Sequence, residues 1–341
     1  MSITWMAYVF CILGAVIYSI YRIGGKKIIN DNKLWSKRPA LLAATVMFVG
    51  GISSLTASLF LGGPKIVENL SWYKTFVFAV FVTGILNIWI QDANMRAQSR
   101  RANGTPGLDA SIVSAISAST PIFILAPCIW YLDEKPSWTG VLGIFLLAFG
   151  TYFLCVIEYL RKKGKTSIWD IALRDMVAPF LDFFRDEKVR VCYFGVALST
   201  ISLIFDGFTA RAANVSFASG VLFTMTSVGL MILAYRRNEF TANPINAESG
   251  KPYETPDSPD LWSKLWTTNV LKLIVFWTAW PFALSIYFHG LSYNQAIIPY
   301  VATLKRLQIP MTMVLAHWLL PEEKEKKKFR YRFVAGVILT V

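Results

Sequence analysis

The fold of this chain is decided by residues 110–150, which read Ala110-Ser-Ile-Val-Ser-Ala-Ile-Ser-Ala-Ser-Thr-Pro121, an apolar run to Leu132, Asp133-Glu-Lys-Pro136, and a second apolar run from Trp138 to Gly150. The first run begins with small residues, which let helix backbones approach closely, and ends in aromatic residues of the kind found at membrane interfaces. The second run has glycines at 140, 143 and 150, a spacing that suits close helix packing. The stretch predicts two membrane-length helices joined by a tight charged corner.

The same pattern returns 189 positions later in the chain. Pro121 is followed thirteen residues on by Glu134, and Pro310 is followed thirteen residues on by Glu323. Gly143 has its counterpart in Gly336 if four residues are inserted in the Lys-rich second corner. The repeat at half-chain distance favours an internal duplication. The alternative is that any two apolar helices ending in an acid look alike.

At these residues the chain resembles the drug/metabolite transporter superfamily, in its EamA-like branch. That family has a Pro-Val/Ile-Phe helix, a Glu-Lys-Pro corner and a glycine-bearing helix near the end of each half. The corresponding residues here are Thr120-Pro-Ile-Phe123, Glu134-Lys-Pro136 and 143–150, with Lys305-Arg-Leu307, Pro310 and Glu322-Glu323 in the second half. The resemblance implies an all-α integral membrane protein of ten helices, in two inverted five-helix repeats at 1–160 and 191–341, that moves small metabolites.

Composition independently indicates a membrane protein. Hydrophobic residues make up 55% of the chain and charged residues 16%, whereas soluble proteins are about a quarter charged. Four cysteines without a CxxC pair and only two histidines predict no disulfide, no metal site and no cofactor. The net charge of +13 arises mostly from short loops between apolar runs, so we expect no nucleic acid as a partner.

Nine apolar runs are long enough to cross a hydrocarbon core of about 30 Å. They are 4–21, 40–61, 72–91, 110–132, 138–154, 191–210, 215–235, 268–288 and 296–320, called spans one to nine. A tenth begins near Phe333, and its residues up to Val341 would rise only about 14 Å, so we expect this helix to be truncated in the given sequence. The polar, proline-rich residues 238–264 predict a mobile loop.

The linker between the halves, residues 161–190, shows apolar residues at helical spacing with charged residues elsewhere on the turn. This pattern is typical of an amphipathic helix on the cytoplasmic membrane surface. A linker helix packed on the bundle fits the pattern as well.

Two cations, Lys305 and Arg306, lie about ten residues into span nine, near the membrane midplane. A charged residue there costs about 2.5–3.5 kcal/mol on translocon scales, which makes it a candidate for function. Arg offers a flat fork and Lys a point charge, and the pair suits an anionic substrate. The alternative is an internal ion pair, for which Asp206 is the candidate acid.

Three further polar residues are candidates for the substrate site. Asp206, toward the outer end of span six, is a candidate counter-charge or proton carrier, although the family often has a basic residue where Gly207 stands here. Tyr300 and Gln308 flank the basic pair and are candidates for hydrogen bonds to substrate. An interfacial position is the alternative for Tyr300. Asn87 and Gln91 in span three are candidates for the pathway outside the predicted site.

The sequence thus predicts a secondary transporter, working as an exporter of a small, anionic metabolite across the cytoplasmic (inner) membrane by alternating access. A flippase for a lipid-linked phosphate would use the same basic pair, and a non-transporting membrane scaffold is the alternative from another class. No nucleophile, general-base or phosphate-loop motif is present, so we expect no enzyme. The predicted partners are a small-molecule substrate and the lipid bilayer, and a homodimer stays open.

Orientation follows from the basic residues, of which 27 of 34 lie in odd-numbered loops and four in even-numbered ones. Lys and Arg are retained on the cytoplasmic side, so the N-terminus should lie outside. Reporter fusions should therefore place residues 22–38, 161–190 and 321–332 in the cytoplasm and residues 62–71 and 132–137 outside. The reverse pattern of reporter activity would contradict the charge count.

Overall fold

The structure is a computed structural model of the chain. It describes residues 3–31, 33–67, 71–99, 107–108, 113, 116–117, 120–131, 134–146, 149–150, 185–246, 249–253, 289, 291–292, 299, 301, 304 and 308–319. The main helices are α1 (Ile3–Asp31), α2 (Lys33–Ser36), α3 (Pro39–Phe60), α4 (Phe76–Gln98), α5 (Thr120–Tyr131), α6 (Glu187–Ala212), α7 (Val215–Arg236) and α8 (Gln308–Leu319). A short 3₁₀ turn, Trp72–Lys74, precedes α4, and the pairing outside helices is one isolated bridge between Ile245 and Pro252 among these residues.

In the described part of the chain, four helices, α3, α4, α6 and α7, are long and apolar enough to cross a membrane. Shorter apolar stretches run from Tyr8 to Ile20 and from Thr120 to Trp130. Large apolar side chains on these helices point outward, among them Phe60, 85% exposed, and Trp130, 84% exposed. Such surfaces are rare on soluble monomers, and lipid tails cover them in a bilayer. The chain is an all-α membrane protein, as predicted.

Local signals set the ends of these helices. Pro39 is the first residue of α3, where its missing N–H costs no hydrogen bond. Gly62 and Gly63, with φ of +99° and +73°, follow the end of α3, as the Gly-Gly-Pro signal predicts. Asn214 caps α7, because its Oδ1 accepts from the Ser216 N–H at 3.0 Å.

The first helix differs from its prediction. α1 continues to Asp31, through part of the segment predicted as a basic loop at 22–38. Charge alone suggested a loop, but Lys26 is buried and its Nζ donates to the carbonyl of Gln98 at 3.2 Å. Because the ammonium finds an acceptor on another helix, the helix can continue through this position.

Helices α3 and α7 pack against each other in antiparallel orientation through small residues. A Cβ added to Gly51 would stand 2.8 Å from the backbone nitrogen of Thr224, and one added to Gly220 would stand 2.8 Å from that of Leu55. Glycine therefore permits a backbone separation that any other residue would widen. Gly51 and Gly220 thus form a small-residue contact between the two helices.

Two further helix pairs pack closely. Helix α4 runs antiparallel to α6, with Thr83 beside Ser202 at one end and Ala93 beside Gly195 at the other. Helix α1 runs parallel to α8: the Ser19 hydroxyl donates to the Gln308 carbonyl, and Ile23 packs on Leu315.

Helix α5 packs against α6 and runs parallel to it. Val113, preceding α5, shares an apolar cluster with Cys192 near the start of α6. At the other end, Glu134 lies near enough to Arg211 for their charges to interact. The predicted charged corner therefore meets the last turn of α6.

Some sequence predictions lie outside the described residues or differ from them. Span eight, the tenth helix and nearly all of the linker are outside, so the ten-helix inverted repeat stays a prediction. A Cβ on Gly143 would meet no described atom within 4 Å, so the close packing predicted there is not observed. In the predicted mobile loop, Glu239 and Asn246 are buried, because residues 238–246 fold back on the bundle.

The α3–α7 contact yields a stability prediction. Gly51→Ala or Gly220→Ala should destabilise the protein by about 1–3 kcal/mol, because each methyl group would overpack a backbone contact. Gly143→Ala is the matched control, since its methyl group would meet no described atom within 4 Å. Thermal unfolding in detergent measures the effect. Equal melting temperatures for all three variants would show that α3 and α7 are not in close contact.

Candidate functional site

Four polar side chains meet between α4 and α6, well inside both membrane-length helices. Thr83 and Asn87 lie one turn apart on α4, and Ser202 and Asp206 lie one turn apart on α6, so each pair occupies one face of its helix. We call these four residues the intramembrane polar cluster. It contains Asp206, which the sequence singled out.

Hydrogen bonds in the cluster run in one direction. The Asn87 amide Nδ2 donates to Ser202 Oγ at 3.0 Å, and Thr83 Oγ1 donates to Asp206 Oδ1. The Thr83 and Ser202 hydroxyl oxygens are 2.7 Å apart. Because the single proton of Thr83 is directed at the carboxylate, Ser202 is the donor to Thr83. The chain Asn87 to Ser202 to Thr83 to Asp206 therefore ends on the carboxylate and stabilises its charge.

Burial within the cluster is unequal. Thr83 and Ser202 are buried, at 0% and 2% exposure, while Asn87 and Asp206 are half-buried. One oxygen of the Asp206 carboxylate thus accepts from the Thr83 hydroxyl, and the residue is partly exposed.

Gln308, the other predicted site residue within the described part of the chain, is buried at the start of α8. Its main-chain oxygen accepts from Ser19 Oγ at 2.9 Å. The side-chain Oε1 and Nε2 have no hydrogen-bond partner among the described residues. An unpaired buried amide is rare in native proteins and calls for an explanation.

The remaining predicted residues, Lys305, Arg306 and Tyr300, lie outside the described residues. Of the predicted set, the structure therefore places Asp206 and Gln308. They belong to different helix pairs, α4 with α6 and α1 with α8.

A second polar region lies at the far end of α4. Asp92 is buried and accepts two hydrogen bonds from Arg237, at 2.5 Å to Nη1 and 2.9 Å to Nη2. Arg96 lies one turn along α4, with its Nη1 3.8 Å from the same carboxylate. The two-pronged geometry is the strong form of this ion pair. Removing one partner of a buried pair typically costs about 3–5 kcal/mol, because the other charge stays buried.

Glu239, just after α7, places its carboxylate at the start of α3. It accepts from the Leu41 N–H at 2.7 Å and the Ala40 N–H at 3.4 Å, and its main-chain oxygen accepts from Arg38 Nε at 2.8 Å. Burial raises the pKa of Glu239 to about 8, although these N–H groups and Arg237, 3.9 Å away, favour the charged form. The same burial lowers the pKa of Arg237, but its hydrogen bond with Asp92 and the nearby acids raise that pKa overall.

Two buried lysines complete this end of the bundle. Lys188 Nζ donates to the Arg96 carbonyl at 2.7 Å and to Ser99 Oγ at 3.0 Å, and Lys26 Nζ donates to the Gln98 carbonyl. Cations are favourable beside the negative end of a helix dipole and beside its unpaired carbonyls. The end of α4 is therefore joined by charged groups to α1, α6 and α7.

Sequence reasoning missed most of these contacts. One pattern in the sequence could have predicted the polar cluster. Thr83 with Asn87, and Ser202 with Asp206, are polar pairs at i, i+4 spacing within apolar spans, which places each pair on one helix face. The burial of Lys26, Lys188 and Glu239 had no such signal, because each lies in a polar stretch. Within the described ranges, no group of three His, Cys, Asp or Glu side chains is placed to hold a metal ion.

The raised pKa of Glu239 predicts a pH dependence of stability. Its ordinary value is 4.5, so the folded protein binds this proton more tightly, and stability should fall as the pH rises from about 4.5 to about 8. Melting temperatures of the detergent-purified protein across this range should fall less for Glu239→Gln than for the unsubstituted protein or the control Glu187→Gln. An identical pH profile for Glu239→Gln would contradict the assignment. The facing charges are Arg237, Asp92 and Arg38, so their substitution should be avoided in this test.

Comparison with known proteins bears on the fold alone. No family model and no curated protein matches the sequence. A protein of known crystal structure matches with a TM-score of 0.53 at 11% sequence identity, over 99% of this chain and 96% of that chain. The two chains are thus of similar extent and share the overall arrangement of their helices, while their low identity carries no information about activity.

Proposed function

We propose that the protein is a secondary transporter that exports a small anionic metabolite across the cytoplasmic membrane by alternating access. The observation that carries the proposal is the Asp206 carboxylate, held by a directed chain of hydrogen bonds between two membrane-length helices. An ionisable group at this depth is costly and marks substrate or ion pathways in membrane proteins.

A scaffold would have no use for this arrangement. Helices α4 and α6 already pack through Ala93 and Gly195, and leucine at 206 would span the membrane at lower cost. The Thr83 hydroxyl donates to the Asp206 carboxylate, and Thr83 is in turn hydrogen-bonded to Ser202. In this proposal Asp206 acts as a counter-charge or proton carrier.

Helix pairing supports the proposed inverted repeats. In an inverted repeat, span one corresponds to span six, and span two (α3) corresponds to span seven (α7). A pseudo-two-fold axis in the membrane plane relates the two halves, so α3 and α7 should run antiparallel where they meet. Likewise, the packing of span one on span nine should recur as span six on span four. Both relations fit the described packing: α3 is antiparallel to α7, and α1–α8 and α6–α5 are each parallel. Inverted repeats of this kind place a substrate site between the halves, near the midplane.

The roles of the remaining residues follow from this architecture. Lys305 and Arg306 would hold the anionic group, and Tyr300 and Gln308 would bind its neutral part. The N-terminus would face outward and the acidic and basic residues at the end of α4 would lie on the cytoplasmic side. No chemical step is part of this function, and we infer that the protein is not an enzyme.

The Asp206→Asn variant tests whether transport requires the Asp206 carboxylate. The amide oxygen can still accept from Thr83, so we expect intact folding but loss of transport, because the charge is gone. Metabolite levels inside and outside expressing cells, measured by mass spectrometry, provide the readout. Glu187→Gln removes a carboxylate from the same helix, in its first turn, and should transport normally. Normal export by the Asp206→Asn variant would contradict the proposed role of this carboxylate.

The basic pair is tested in the same assay. Lys305→Met and Arg306→Leu should abolish export of the anion, since its charge-assisted hydrogen bonds, worth about 1.5–3 kcal/mol each, would be lost. Lys135→Met, which removes an exposed cation from the corner after span four, is the matched control. Accumulation of a lipid-linked phosphate without change in soluble metabolites would indicate a flippase instead. Unchanged levels of both would indicate a scaffold.

A further inference from the structure

The α1–α8 pair contains two adjacent polar side chains whose hydrogen bonds are unmade. Gln308 is 1% exposed and Thr312 is 0% exposed. Gln308 Oε1 and Nε2 and Thr312 Oγ1 have no hydrogen-bond partner within the described part of the chain. Together they offer two donors and an acceptor from the amide and one of each from the hydroxyl.

These two residues lie on the inner face of α8. Residues 308, 312 and 315 recur at the i, i+4, i+7 spacing of one helix face, and Leu315 of this face packs on Ile23 of α1. Met311 and Trp318 lie along one edge of this face and are exposed, whereas Gln308 and Thr312 are buried. The unpaired amide and hydroxyl are therefore directed into the bundle and not toward lipid.

Their depth is that of the predicted substrate site. Gln308 lies midway along span nine, three residues from Lys305, and Thr312 follows one turn later, about 6 Å along the axis. The backbone at this point is already held, because the Ser19 hydroxyl lies 2.9 Å from the Gln308 carbonyl oxygen and can donate to it. The polar side chains are thus not needed to join α1 to α8.

We propose that Gln308 and Thr312 form a subsite for a neutral group that presents a hydrogen-bond donor and acceptor side by side. A vicinal diol and a carboxamide share this chemistry, because each can pair with Oε1 and Nε2 of one glutamine at once. The proposal rests on the proposed transport function and extends it: the basic pair takes the anionic group, and this subsite takes the adjoining neutral part of the same molecule.

An isolated unpaired hydroxyl would not carry this inference. Thr226 on α7 is likewise buried with an unpaired Oγ1 among the described residues, but it lies on a different helix, and no unpaired amide is described on α7. It therefore provides a control with the same chemistry outside the subsite. Thr226→Val should change neither ligand preference nor transport.

Ligand binding by the full chain in lipid nanodiscs tests the subsite in two arms. Glycerol 3-phosphate is compared with inorganic phosphate for the diol, and malonamate, whose primary carboxamide has an N–H cis to its carbonyl, with acetate for the amide. In at least one arm, the molecule with the neutral group should bind the unsubstituted protein about tenfold more tightly, the gain expected from about one or two hydrogen bonds. Gln308→Leu should abolish that preference and leave binding of phosphate and acetate unchanged, and Thr312→Val should reduce it.

The subsite would be overturned if neither arm showed tighter binding of the molecule with the neutral group, or if Gln308→Leu kept that tighter binding. Water alone would then occupy the space beside Gln308. The melting temperature provides a second readout. Gln308→Leu should unfold at the same or a higher temperature, because it removes unpaired polar groups, whereas a marked decrease would show a structural role and overturn the proposal. Lys305→Met tests the proposed transport site separately. If this variant binds phosphate and acetate as tightly as the unsubstituted protein, the proposed anion site is contradicted, whatever the result for Gln308→Leu.

Discussion

A hydrocarbon bilayer provides no hydrogen bonds, so each polar group inside it needs a partner within the protein. This constraint explains the arrangement around Asp206. A carboxylate between α4 and α6 is tolerable because Thr83 donates to it and Ser202 and Asn87 complete the chain behind Thr83. The constraint also makes the exceptions informative. Where the amide of Gln308 stays unpaired in the described structure, the partner that it lacks is one that a ligand can supply.

Helix α4 is the element on which the polar contacts converge. At one end its Thr83 holds Asp206, and at the other its Asp92 binds Arg237 while its last carbonyls accept from Lys26 and Lys188. These contacts tie α4 to α1, α6 and α7 by charge and hydrogen bonding. The α3–α7 contact has a different basis, since it depends on close backbone approach at Gly51 and Gly220. The bundle thus combines a rigid glycine-packed pair with a neighbouring helix held by polar groups.

This division bears on how such a bundle could alternate between two states. Close van der Waals packing of backbones tolerates little sliding, because even one methyl group would not fit between them. Polar side chains can exchange one partner for another, for water or for a substrate at smaller cost when a cavity opens. The charged end of α4 is therefore better suited to rearrange than the α3–α7 contact. In an alternating-access cycle, we expect the α3–α7 contact to persist and the polar contacts at the charged end of α4 to change partners.

The sequence by itself determined the membrane class and spans two, three, six and seven, because hydropathy over about 20 residues and the caps at Pro39, Gly62 and Asn214 are local properties. It also identified Asp206 and Gln308 as candidates, since polar residues inside apolar spans are conspicuous. Only the tertiary structure decided what those side chains meet. The Thr83–Asp206 contact joins residues 123 positions apart, and the Arg38–Glu239 contact joins residues 201 apart. Lys26 and Lys188 look like ordinary loop cations in the sequence, and their burial became possible only when packing brought the unpaired carbonyls at the end of α4 within reach.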